Sequence, residues 1–119
     1  MKIWKPMWMS KLGKKFFGQK LTRGFSDFET WNLDYIIAKF SLPRVKRFKQ
    51  LSNGFPGDCT EAEWNIIIDK IIYSLEASLK DFNGNLYADC FVLEDYEKIN
   101  KKMDEGFVLF GKYFRDLWW

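Results

Sequence analysis

Thr60-Glu-Ala-Glu-Trp-Asn-Ile-Ile-Ile-Asp-Lys-Ile-Ile-Tyr-Ser-Leu-Glu-Ala-Ser-Leu-Lys80 is the stretch that decides the fold class. Thr60 and Glu63 stand three apart, the spacing of a capping box. Trp64, Ile67, Ile68, Ile71, Ile72, Leu75 and Leu79 then recur at steps of three and four, which draws one apolar stripe along a helix. The isoleucines alone would suit a strand, but about twenty residues without a breaker exceed strand length. The pattern predicts a helix over about 61–80.

Working towards the N-terminus, Ser52-Asn-Gly-Phe-Pro-Gly57 reads as a loop from its turn residues. Before it, Ser26 and Glu29 form a second capping box, and Phe28, Trp31, Tyr35, Ala38 and Leu42 continue at helical steps. This predicts a helix over about 27–41. Pro43 disfavours helical backbone at Leu42, so a kink or a break is expected there. A second helix then starts on Pro43 and runs to about 51, with Val45, Phe48 and Leu51 inward.

Towards the C-terminus, Asp81-Phe-Asn-Gly-Asn85 is a turn, and 86–93 fits a short strand, an irregular segment or a helical turn equally well. The period returns through Tyr96, Ile99, Met103, Phe107, Phe110, Phe114 and Leu117, which predicts a long last helix. Gly106 and Gly111 each weaken it by about 1 kcal/mol relative to Ala, so close helix contact or a bend is expected at them. The expectation is an all-α bundle of about four helices with a proline-kinked first pair. Residues 1–22 form a basic, aromatic N-terminal arm, and residues 23–119 a single helical domain.

Composition narrows the function. The 119 residues are 47% hydrophobic and 19% aromatic, which fits one folded domain and leaves more rings than so small a core hides. Histidine is absent, which excludes Ser-His-Asp and Cys-His catalysis and His-ligated zinc. Cys59 and Cys90 are too few for a thiolate metal site, and without a secretory signal they read as reduced thiols rather than a disulfide. Lysines interrupt every apolar run near the N-terminus, so no transmembrane segment is expected, and the location expected is cytoplasmic.

Charge is divided along the chain. Residues 1–50 carry twelve Lys/Arg against three acids, or +9; residues 51–119 carry seven against thirteen, or −6. A basic, ring-rich half invites an anionic partner. Arg44 and Arg47 are three apart and share a helix face, where guanidinium forks suit phosphate. Arg23 precedes the first helix and adds to the same charge. Trp118 and Trp119 offer rings that stack on a flat ligand, with Arg115 beside them and Trp31 as a further wall. Each has a plainer reading: a solvated basic face for the arginines, an aromatic plug for the tryptophans. The acids of the second half form no cluster fit for general acid–base or two-metal chemistry. No catalytic residues, metal or cofactor are therefore expected.

Arg23 to Lys49, Thr60-Glu-Ala-Glu-Trp64 and Lys112-Tyr-Phe-Arg-Asp-Leu-Trp-Trp119 together resemble a family of short bacteriophage-encoded helical proteins. The resemblance covers about residues 23–119 and brings no established catalytic residues with it. It implies a phage protein acting in a bacterial host cytoplasm, and a role against host defence. The expected function is a non-enzymatic, homo-oligomeric protein that sequesters an anionic nucleotide-type signal. Two other readings remain at this point: a nucleic-acid-binding accessory protein, and an interaction module that inhibits a host protein.

Overall fold

A computed structural model describes residues 11–119, and no strand occurs among them. Residues 1–10 of the expected N-terminal arm lie outside the described residues. Five α-helices follow one another: α1 Lys11–Arg23, α2 Asp27–Trp31, α3 Leu33–Leu51, α4 Glu61–Phe82 and α5 Leu93–Lys112, with a closing 3₁₀ turn over Phe114–Asp116. By compactness the chain divides into two units, residues 1–36 and 37–119, and the division falls inside α3.

In the first unit, the second half of the expected arm is helical. α1 ends at Gly24, whose φ of +85° is the left-handed conformation that a helix C-terminus takes up easily only with glycine. Phe16 of α1 packs on Phe28 of α2, ring centroids 6.0 Å apart. The Gln19 amide donates to Asp27 at 2.7 Å, and Lys20 pairs with Glu29 at 3.3 Å. The Glu29 carboxylate also accepts the Ser26 backbone N–H at 3.1 Å, the return bond of the capping box.

Of the kink or break expected at Leu42, the break is corrected here, and with it the separate helix starting on Pro43. α3 runs unbroken through Pro43, and the break falls at Asn32 instead, with φ −110° and ψ 51°. Asn is among the residues that readily leave helical backbone, since its amide competes for the local hydrogen bonds. Proline removes one helical hydrogen bond, a loss that packing of the surrounding turns offsets. Val45, on the turn after Pro43, is buried in the core.

The second unit holds the core: Ala38, Val45, Trp64, Ile68, Ile71, Leu75 and Tyr113. The α4 stripe read from the sequence supplies four of these, and Ile67, Ile72 and Leu79 pack partly buried around them. Each fully buried Ile or Leu side chain contributes about 1.5–3 kcal/mol. Thr60 Oγ1 accepts the Glu63 N–H at 3.2 Å, so the capping box starts α4 as expected.

α4 and α5 lie antiparallel, since Lys70 reaches Glu105 (2.6 Å) while Ser74 reaches Met103 (2.6 Å). They approach closely at Gly106. A Cβ there would collide with the Lys70 carbonyl and the Ser74 side chain, coming within 2.8 Å of Ser74 Cβ. Gly106 thus has the close helix contact foreseen for it, whereas a Cβ on Gly111 would meet nothing within 4 Å. Residues 86–92 are turns and irregular backbone leading into α5, and Tyr87 there stacks on Tyr96 (4.9 Å) and donates its hydroxyl to Asn100.

Candidate functional site

The site begins on α3. Arg44 lies one turn beyond Phe40, and its guanidinium sits 3.8 Å from the Phe40 ring centroid and donates to the Phe40 carbonyl at 2.8 Å. Cation–π attraction and the hydrogen bond hold the same orientation. Arg47, three residues on, donates to Gln50 Oε1 at 2.9 Å. The two arginines share one face, as their spacing required, and both line an open groove of about 580 Å³.

The opposite wall comes from the C-terminal segment. α5 ends at Lys112, and Tyr113 caps it through an N–H bond to the Leu109 carbonyl. The chain then tightens into the 3₁₀ turn, which rotates each successive side chain by about a third of a circle. Phe114 therefore faces the groove with Arg44, and Asp116 faces a second groove of about 390 Å³. Arg115, between them, is exposed and lines neither groove. Trp118 and Trp119 line both grooves and are 75% and 70% exposed, so their rings are open to a ligand.

Of the seven candidate residues, Arg44, Arg47, Trp118 and Trp119 are brought together. Arg23 and Trp31 belong to the first unit. Arg23 pairs with Asp27 at 2.5 Å, donates to the Phe25 carbonyl and lies over the Phe25 ring. The hydrogen bonds from Gln19 and Arg23 hold the Asp27 carboxyl below its ordinary range. Trp31 ends α2, is 81% exposed and touches Phe28 edge-on.

Sequence reasoning missed the phenylalanines of the groove. Phe40 lies off the apolar stripe of its helix, and its one signal is its place four residues before an arginine. Tyr113 was missed as well. It is buried where Phe114 was expected, edge-on to Trp64 at 5.5 Å, with its hydroxyl donating to Asp58 at 3.3 Å. The helix ends too early for the stripe to continue to Phe114, which is 61% exposed.

Both cysteines are free thiols. Burial, and then the Asp58, Glu63 and Asp116 carboxylates, push the Cys59 thiol up, and burial with Asp95 and Asp89 does the same at Cys90. Neither is poised as a thiolate nucleophile. The hydrogen bond from Lys70 draws the Glu105 carboxyl down, as a structural ion pair does. Among the described residues, no group of three or more Cys, Asp or Glu stands together to hold a metal ion. No helix among them is long and apolar enough to cross a membrane. No family model, no curated protein and no solved structure matches the chain.

Proposed function

We propose that this chain is a non-enzymatic binding protein for an anionic, nucleotide-type small molecule, and that it acts by sequestering that molecule. One observation carries the reading: two guanidinium groups and two exposed indoles line a single groove. Guanidinium forks recognise phosphate oxygens, and indole faces stack on bases. The groove volume lies within the range of ordinary small-molecule sites. The resemblance to short phage proteins supplies the setting, a bacterial host whose defence signalling runs on such a molecule. Sequestration in a homo-oligomer is part of the same proposal.

This reading is preferred to nucleic-acid binding because much of the basic charge is already engaged. Lys46 pairs with Glu76 at 3.0 Å and Lys49 with Asp69 at 2.5 Å, on the helix that carries Arg44 and Arg47. A polyanion tracked along that helix would have to compete with these pairs.

The test is a thermal-shift screen of the purified protein against cyclic and linear nucleotides, with short DNA and RNA alongside. A nucleotide at a hundred times its dissociation constant adds about 2.7 kcal/mol to stability. The expected result is a selective rise in Tm, with the nucleotide recovered intact on heating. Changing Arg44 and Arg47 together to Ala should remove the rise and leave the unliganded Tm within a degree or two, as both are exposed. A rise that survives the double change, or a nucleotide recovered cleaved, would overturn the proposal.

A further inference from the structure

Trp118 and Trp119 are shared between two grooves whose charges are opposite. The larger carries Arg44 and Arg47; the smaller carries Asp116, and Asn53 and Gly54 line it too. Phosphate is repelled from the Asp116 side and attracted to the arginine side. A ligand bound across the tryptophans is therefore oriented: its anionic end lies at α3, and its other end lies in the smaller groove.

The chemistry of the smaller groove specifies that other end. An ionised carboxylate only accepts hydrogen bonds, through two oxygens side by side. It fits a ring edge that presents two adjacent donors. Among the common bases, guanine has that edge, in its ring N–H and its 2-amino group. The Asn53 amide has donors for the neighbouring guanine carbonyl. Uracil and thymine present carbonyls on either side of their ring N–H, which an aspartate repels.

Resting on the nucleotide reading above, we infer that the ligand is a guanine nucleotide, with its phosphate on Arg44 and Arg47 and its base edge on Asp116. Asp116 is then the residue that selects the base, and the tryptophans are the surface that the base crosses.

The experiment compares guanosine monophosphate with inosine monophosphate by calorimetry. The two differ only by the 2-amino group. A hydrogen bond to a charged acceptor corresponds to roughly 10–100-fold in affinity. The expected result is guanosine monophosphate bound at least about tenfold more tightly than the inosine compound in the wild-type chain. In Asp116→Asn, that preference should fall to about twofold or less, as one of the two accepting oxygens becomes a donor. Asp116 is exposed on the 3₁₀ turn, so the change leaves the fold intact, which an unchanged Tm without ligand would verify. Equal binding of the two nucleotides, or a preference that survives Asp116→Asn, overturns the guanine assignment and leaves the nucleotide reading standing. Binding of neither, nor of any adenine or pyrimidine nucleotide, overturns both.

Discussion

Gly106 sets how closely α4 and α5 approach, and a single methyl group there is enough to test it. A Cβ would meet two obstacles, the Ser74 side chain and the Lys70 carbonyl. The first can rotate only by giving up its hydrogen bond to the Met103 carbonyl; the second is backbone in the middle of a helix. Overpacking of this kind costs about 1–3 kcal/mol, against roughly 1 kcal/mol gained from replacing a helical glycine. Gly106→Ala is expected to be net destabilising by up to about 2 kcal/mol in urea unfolding. Adding Ser74→Ala should not restore stability, because the carbonyl stays in place. Full restoration by the second change would show that only the serine stood in the way. The glycine was legible in the sequence as an otherwise costly residue in a helix. Its partner was not: nothing about Ser74 distinguishes it from a solvent-facing serine until α5 is placed against it.

Helices starting at a capping box could be read directly, because the signal is local. Thr60 with Glu63, and Ser26 with Glu29, each mark a start that the backbone confirms. Helix ends were harder. The last helix was read through Leu117 but stops at Lys112, and the helix from Asp27 was read through to about 41 but is interrupted at Asn32. The end at Lys112 depends on which side chains find a core, which propensity does not encode; the interruption at Asn32 has a local cause, the asparagine amide, too weak a sign to outweigh the helical period on either side of it. Pro43 illustrates the point: local rules place a break beside it, yet Val45 and Phe48 on the following turns pack into or against the core and hold α3 helical. Proline is about 3 kcal/mol worse than Ala in a helix interior. Its restriction of the unfolded chain recovers about 0.4–1 kcal/mol of that. Pro43→Ala should therefore raise stability, by about 1–2 kcal/mol once local relaxation is allowed for, in the same urea titration. A loss of stability would mean that the proline ring, although exposed, is itself needed to hold α3.

At the scale of the whole molecule, part of the division of charge along the sequence is met by pairs within each unit. Lys20–Glu29 and Arg23–Asp27 lie in the first, and Lys46–Glu76 and Lys49–Asp69 in the second. The last two join the basic half of the chain to its acidic half, a pairing the sequence left open because contact across 20 or 30 residues has no local sign. Among the described residues, Arg44 and Arg47 form no ion pair: their guanidiniums donate to neutral oxygens on their own helix, which leaves their charge for the groove. Exposed pairs such as these each contribute about 0–1 kcal/mol and are screened by salt, whereas the core around Ile71 is not. Raising sodium chloride from about 50 mM to 500 mM should therefore move the Tm of the unliganded chain by only a few degrees. The same change should weaken nucleotide binding by no more than about tenfold per phosphate charge neutralised, much less than the loss expected of a protein that tracks many phosphates. Calorimetry across that salt range reads both effects. A fall of several decades in affinity would identify a polyanion as the ligand and move the site off the groove and onto the basic surface as a whole.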